Sequence, residues 1–136
     1  MASDVPAGFQ PEEGGNPFTV LIGPLYERRD GDGYAMGFRP DERHANRRGV
    51  VHGGMLFTLA DHTLGNMVWE ANEGKPCATV SLNVDYVSGA RAGQWLECTG
   101  RISRETRSLI FIKGELTADG EIAMTATGVW KKLGAK

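Results

Sequence analysis

The chain has 136 residues, which suits one domain with a single hydrophobic core and leaves too little for two. Charged residues make up 24% and the formal net charge is -2, which excludes a general electrostatic attraction to nucleic acid or to an anionic membrane surface. The opening residues lack the basic and apolar regions of a signal peptide, and no apolar stretch is long enough to cross a bilayer. We therefore predict a cytoplasmic protein with no nucleic-acid or membrane partner.

The first 39 residues predict a lead-in followed by two strands. Residues 1–17 are rich in Pro, Gly and acidic groups and predict a flexible N-terminal lead-in. The apolar run 18–22 begins a strand that resumes around 25–26. Residues 30–33 carry a turn signal, and 34–39 form the returning strand. The rest of the chain, 18–136, is predicted to be a single domain.

One long helix is predicted from Gly54 to about Asn72, ended by Gly74, Lys75 and Pro76. Its apolar residues recur at spacings of three and four, the stripe of an amphipathic helix. These residues are Met55, Leu56, Leu59, Ala60, Thr63, Leu64, Met67, Val68 and Ala71.

Four antiparallel strands are predicted after the helix, at 77–87, 94–104, 108–117 and 121–132, with a hairpin turn at 118–120. In the first strand, alternation predicts one apolar and one polar face, with Ala78, Val80, Leu82, Val84 and Tyr86 opposite Thr79, Ser81, Asn83 and Asp85. Two strands, a helix and four strands make an α+β pattern in which one sheet of five to six strands wraps one helix. The two cysteines, Cys77 and Cys98, lie in these apolar runs without metal-ligand spacing, so we expect free thiols and no metal.

The predicted helix lacks a charged solvent face. Opposite its stripe lie Phe57, Thr58, Asp61, Gly65 and Trp69, with His62 beside them, and no Lys or Arg occurs from residue 52 to residue 72. Because the chain is too short to cover this side itself, a second copy is the simplest cover. Asp61 would then lie in an interface, where it is suited to general-base chemistry. The alternative is an exposed helical carboxylate without a role.

A His-Gly-Gly sequence, His52 to Gly54, leads directly into the helix. Glycines at a helix N-terminus expose unpaired N–H groups at the positive end of the helix dipole, which favours a developing oxyanion. Asp61 lies about 12 Å further along the same helix, too far to act on the same carbonyl unless a two-fold related copy supplies it. The alternative is a tight loop entering a helix, in which His52 only caps or packs.

These residues resemble a known family. Asn46-Arg-Arg-Gly-Val-Val-His52-Gly53-Gly54, followed by Leu59-Ala60-Asp61, looks like the signature of PaaI-like hotdog-fold thioesterases in the 4-hydroxybenzoyl-CoA thioesterase superfamily. The run from Ala78 to Tyr86 is similar to the strand that follows the family's helix. The resemblance covers about residues 18–133, and it implies dimers with a continuous sheet, often paired into tetramers, with active sites at the subunit boundary.

The resemblance also implies roles for residues at matching positions. Gly53 would offer its N–H to the thioester oxygen, with Asn46 and His52 shaping the loop or placing substrate and water. Asp61 of the partner would be the general base or the nucleophile, and Thr79, also of the partner, would position water. Proposed contacts to substrate or CoA are Gly54, Ser88 and Gly89, with Arg91 and Arg107 as candidate phosphate partners.

The sequence therefore predicts a hydrolase that cleaves an aryl- or medium-chain acyl-CoA, with CoA thioester as substrate and no cofactor. Two alternatives stay open, because the hotdog fold also serves other functions. One is an acyl-CoA-binding or regulatory module, against which the presence of Asp61 argues. The other is a hydratase using His52 and Asp61, which the Asn-linked His-Gly-Gly pattern favours less. Solvated arginines and a merely strand-forming Thr79 are the alternatives for the peripheral residues.

Overall fold

The computed structural model describes residues 4–31 and 33–134, so Asp32 of the predicted turn lies outside the described residues. Seven strands form a single antiparallel sheet, and the long helix packs on one face of it. In chain order the elements are β1 (Gln10–Pro11), α1 (Pro17–Ile22), β2 (Tyr26–Asp30), β3 (Gly33–Phe38), a 3-10 turn (Glu42–His44), α2 (Gly53–Ala71), β4 (Cys77–Tyr86), β5 (Leu96–Glu105), β6 (Leu109–Ala118) and β7 (Glu121–Lys132).

The sheet order is β1-β2-β3-β5-β6-β7-β4, which leaves β4 at one edge beside β7. This arrangement confirms the predicted α+β class and the wrapping of one helix by one sheet. The predicted hairpin is confirmed as well, because Asp119 and Gly120 both have positive φ, 48° and 87°, as a two-residue hairpin turn requires. No helix within the described residues is long and apolar enough to span a membrane.

Two facing glycines allow α2 to lie close to the centre of the sheet. Gly100 and Gly114 are paired across β5 and β6, and a Cβ built on them would lie 2.5 Å and 2.9 Å from Leu64 Cδ2. The fully buried Leu64 therefore occupies space that any larger residue on these strands would fill. This close contact fixes the height of α2 above the strands, and with it the position of the functional residues on the helix.

The strand predicted at residues 18–22 is wrong, because this segment forms the helix α1. Asn16 caps it reciprocally: Asn16 Oδ1 accepts from Thr19 N at 3.0 Å, and Thr19 Oγ1 accepts from Asn16 N at 3.0 Å. Pro17 occupies the first helical turn, where its missing N–H costs nothing. The capping residues outweigh the strand preference of the short apolar run, and the first long strand begins only at Tyr26.

Part of the predicted lead-in contacts the domain. Residues 10–11 pair with β2, and the Glu12 carboxylate bonds both His62 Nε2, at 2.8 Å to Oε2, and Asn66 Nδ2, at 3.0 Å. These contacts cover the side of α2 that faces β2 and β3. The N-terminal segment thus supplies some of the cover that the sequence had assigned entirely to a second copy.

A bulge in β4 changes the predicted faces of that strand. The register with β7 shifts between Thr79 and Ser81, so Val80 is an extra residue without a partner. Thr79 is opposite the buried Trp130 and therefore shares the helix-facing side of the sheet, whereas Ala78 is opposite the exposed Lys131. The predicted alternation holds from Ser81 onward, and it is wrong for residues 78–80. Simple period-2 counting fails here because it cannot include the bulge.

Candidate active site

The loop before α2 is organised by Asn46. Its Oδ1 accepts from Arg48 N at 2.8 Å and from Val50 N at 3.2 Å, and its backbone N–H donates to Val50 O at 2.7 Å. Gly49, between them, has a φ of 78°, a conformation that favours glycine. Asn46 therefore holds the loop in a tight turn through the loop's own amides, and the turn delivers the chain to His52.

His52 is the N-cap of α2. Its Nδ1 accepts from Gly54 N at 3.0 Å, and its backbone N–H donates to His44 O at 2.8 Å. Because Nδ1 is an acceptor, the neutral ring carries its proton on Nε2. The Gly54 amide is thus already used, whereas the Gly53 N–H meets no hydrogen-bond acceptor within residues 4–31 and 33–134. Gly53 offers the one free amide of the pair at the positive end of the helix.

Tyr86 fixes the other side of Gly53. Its hydroxyl donates to Gly53 O at 2.8 Å, and a Cβ built on Gly53 would lie 3.3 Å from Tyr86 Cζ. Tyr86 therefore orients the peptide that carries the free amide and restricts the size of residue 53. Sequence reasoning missed this role, since it assigned Tyr86 only to the apolar face of a strand. The sequence offered only a weak indication of this role. Tyr86 follows smaller apolar residues on its strand, and the hydroxyl of a tyrosine in such a place needs a hydrogen-bond partner.

Asp61 and Thr79 form a second polar group, at the edge of the sheet. Thr79 Oγ1 donates to Asp61 Oδ1 at 3.4 Å, which the β4 bulge makes possible by turning Thr79 toward the helix. The Asp61 side chain is half-buried and forms no salt bridge with a Lys, Arg or His among the described residues. An unpaired carboxylate beside a hydroxyl can hold a water molecule and accept a proton from it.

Residues of the loop after β4 lie against the loop that enters α2. Val51 N donates to Ala90 O at 2.8 Å, and Ala90 is fully buried. Ser88 Oγ donates to Ile122 O at 2.7 Å, and the exposed Arg91 reaches Arg48 O at 3.5 Å. A Cβ added to Gly89 would lie 3.8 Å from Val50. The structure thus brings residues 88–91 close to the start of α2.

Arg107 lies elsewhere. It occupies the turn between β5 and β6, where Lys132 N donates to Ser108 O, at the end of the sheet formed by Cys77 and Lys132. The helix start lies at the other end, beside Tyr86, so within one chain Arg107 is roughly 25 Å from the Gly53 amide at 3.3 Å per strand residue. No group of three or more His, Cys, Asp or Glu side chains within the described residues is arranged to hold a metal ion.

Comparisons with known proteins agree on one family. Residues 48–124, which include the loop, α2 and β4 to β6, match the model of the thioesterase superfamily. A predicted esterase of Pseudomonas aeruginosa is 36% identical over 129 residues, 93% of this chain and 96% of that protein. Acyl-coenzyme A thioesterase 13 of Mus musculus is 31% identical over 77 residues, 57% of this chain and 55% of that protein.

A solved structure shows the same architecture. A predicted thioesterase of Ralstonia eutropha JMP134, related to phenylacetic acid degradation, is 27% identical with a TM-score of 0.77, over 88% of this chain and 92% of that one. The chain belongs to the thioesterase superfamily, has the hotdog fold of PaaI-like members, and is a thioester hydrolase.

Proposed function

We propose that the protein hydrolyses acyl-CoA thioesters at a site built by two copies of the chain. The observation that carries this proposal is the separation of two complementary groups. Gly53 and Asp61 both lie on α2, about 12 Å apart along the helix axis, and Thr79 of β4 donates a hydrogen bond to Asp61. One copy therefore holds an oxyanion donor and a base that cannot act on the same carbonyl, whereas two copies related by a two-fold axis can bring them together.

The free edge of β4 is where we place the second copy. Within the described residues β4 pairs with β7 alone, so its other edge has unpaired backbone groups. Large apolar side chains are exposed here, with Val80 60%, Tyr86 53% and Val87 58% accessible. Antiparallel pairing of two such edges would continue the sheet and would place the Asp61 of one copy near the helix start of the other. A dimer is the proposed minimum, and a tetramer remains a prediction.

The proposed reaction is attack by water on the thioester carbonyl. The Asp61 carboxylate of the second copy removes a proton from a water held with Thr79, and the water oxygen bonds to the carbonyl carbon. The oxygen of the tetrahedral intermediate takes the negative charge and accepts a hydrogen bond from Gly53 N–H. The C–S bond then breaks, the CoA sulfur takes the proton from Asp61, and the carboxylic acid is released. Nucleophilic attack by Asp61 itself is the alternative, for which hydroxylamine capture of an acyl-enzyme would be the sign.

Two separate surfaces are proposed for the CoA moiety. Ser88, Gly89 and Arg91 lie beside the helix start of the subunit that supplies Gly53. Arg107 lies at the opposite end of its own sheet, so it can take part only at the site of the other copy. Guanidinium groups suit the CoA phosphates because they form paired, charge-assisted hydrogen bonds. CoA thioester is a substrate in this proposal, and we expect no cofactor.

The test is replacement of Asp61 by Asn, assayed by thiol release over a panel of acyl-CoA thioesters. Asn keeps the size of the side chain and removes the base, so we expect turnover to fall by a factor on the order of 10²–10⁴. Asp85→Asn is the matched control, since Asp85 is an exposed carboxylate on the opposite face of β4 and should leave turnover unchanged. Equal turnover in both variants would reject Asp61 as the base. Binding of acyl-CoA without turnover in the parent protein would favour a binding module instead.

A further inference from the structure

A cavity of about 300 Å³, open to solvent, lies between α1 and the first two turns of α2. Its apolar wall comes from both helices and from the loop before α2, and consists of Phe18, Ile22, Ala45 and Met55. His52 and Gly54 also line the cavity. These two residues flank Gly53 in the chain, so the cavity reaches the turn of α2 that carries the free amide.

The wall formed by α1 is held in place at its C-terminal end. Arg43 donates from Nη1 to Leu21 O at 3.0 Å and from Nη2 to Gly23 O at 2.8 Å. The buried His44 donates from Nε2 to Ile22 O at 2.6 Å, since its Nδ1 accepts from the backbone N–H of Asp41. These bonds satisfy the last carbonyls of a six-residue helix that would otherwise fray. The C-terminal end of α1 is thereby fixed, with Ile22 packed against the core, and Phe18 lines the cavity from the first turn of α1 with its side chain 54% exposed.

The polar side chains of Arg43 and Thr58 at the cavity are already occupied, whereas His52 Nε2 has no hydrogen-bond partner within residues 4–31 and 33–134. The Arg43 guanidinium bonds the Asp41 carboxylate as well as the α1 carbonyls, and Thr58 Oγ1 donates to Gly54 O at 2.9 Å. The pKa of the Asp41 carboxyl is lowered by these side-chain hydrogen bonds from Arg43, so the pair stays ionised and intact at neutral pH. A ligand inside would therefore meet mainly apolar surface and would gain little from charge or hydroxyl groups.

We propose that this cavity holds the acyl group of the substrate, and that Phe18 and Ile22 of α1 determine its length. The inference rests on the proposed function, because it places the thioester carbonyl at Gly53 N–H and lets the acyl group extend toward α1. A cavity of about 300 Å³ with an apolar wall suits a short or medium-length apolar acyl group, straight or aromatic. A long-chain acyl group would have to leave the cavity past Phe18.

The test compares Phe18→Ala and Phe18→Trp with Val20→Ala as the matched control. Val20 lies on the same helix and is 71% exposed, and Phe18 is 54% exposed, but only Phe18 lines the cavity. The measurement is kcat/KM for hexanoyl-, octanoyl-, phenylacetyl-, dodecanoyl- and palmitoyl-CoA, with thermal melting of every variant. Phe18→Ala should raise the ratio of dodecanoyl to octanoyl turnover by about tenfold or more, Phe18→Trp should lower it, and Val20→Ala should leave it within about twofold.

The outcomes distinguish a failure of the proposed thioester hydrolysis from a failure of the acyl-cavity assignment. If the parent protein hydrolyses none of the thioesters, the proposed function fails and the acyl cavity fails with it. If the parent is active but both Phe18 variants keep the parent's chain-length ratios, as Val20→Ala does, only the assignment of the cavity is overturned. A parent that prefers palmitoyl-CoA to all shorter substrates would overturn it too. If Phe18→Ala melts at the assay temperature, the Phe18→Trp ratio decides.

Discussion

Gly53 is the residue on which two separate constraints meet. Its amide is free to donate, a Cβ added to it would lie 3.3 Å from Tyr86 Cζ, and the Tyr86 hydroxyl donates to the Gly53 carbonyl. His52 Nδ1 accepts a hydrogen bond from the neighbouring amide of Gly54. The Gly54 N–H is therefore no longer available as a second donor to the oxyanion. We therefore expect the oxyanion to accept a hydrogen bond from the Gly53 amide alone, and not from both glycine amides.

Gly53→Pro tests this assignment at a single atom. Proline lacks the N–H, yet it is favoured at the first position of a helix, and the preceding His52 already has the extended backbone that proline requires, φ -58° and ψ 134°. We expect kcat to fall by about 10²–10³ while the fold is retained. Gly53→Ala is the control, because it brings a Cβ to the same place beside Tyr86 and keeps the amide. Similar losses in both variants would show that the Cβ, not the missing N–H, is responsible.

Cys98 gives a prediction for the stability of the core. Burial raises the pKa of its thiol from 9.0 to about 12. Above pH 9 the unfolded chain releases this proton while the folded chain keeps it, so the free energy of unfolding should fall as the pH rises from about 9 toward 12, by up to about 1.4 kcal/mol per pH unit. Urea unfolding of the parent and of Cys98→Ala at several pH values measures it. Tyr34 is buried in both proteins, so its contribution to the pH dependence is the same in each. If the free energy of unfolding falls equally steeply with pH in the parent and in Cys98→Ala, the prediction is contradicted.

At the level of elements, α1 shows how a local signal can be misread. Residues 18–22 look like a strand by composition, yet Asn16, Pro17 and Thr19 specify a helix start. These capping residues are visible in the sequence, whereas the strand prediction rested on the apolar run alone. The β4 bulge is different: nothing in residues 78–81 announces it, because the register is set by pairing with β7. Thr79 was nevertheless singled out through the family resemblance.

Asn16→Ala should weaken α1. Loss of an N-cap side chain costs about 1 kcal/mol, and here it also removes one half of a reciprocal pair with Thr19. We expect a lower free energy of unfolding in urea, and also a broader acyl-length preference because Phe18 is less firmly held. Glu13→Ala, an exposed neighbour, is the control and should change neither. Unchanged stability in Asn16→Ala would mean that Arg43 and His44 alone hold the helix.

For the whole molecule, the long helix and the antiparallel strands could be predicted because their apolar periods of 3.6 and 2 are strong. The lack of basic residues on α2 correctly indicated that this helix has more than one covered side. The segment that covers this helix could not be predicted from the sequence, because Glu12 and His62, which form the contact, are fifty residues apart in the chain. Equally, the distance of Arg107 from the helix start follows from strand order, which periodicity does not contain.

Subunit complementation tests whether each active site takes Gly53 from one subunit and Asp61 from another. Gly53→Pro and Asp61→Asn are each expected to be nearly inactive alone. When the two variants are unfolded and refolded together, mixed dimers should contain one site with both native residues, and activity should return to about a quarter of the parent's under random pairing. Sedimentation of the mixture checks that dimers form. If dimers form and activity stays at the level of the separate variants, the site is not shared between subunits.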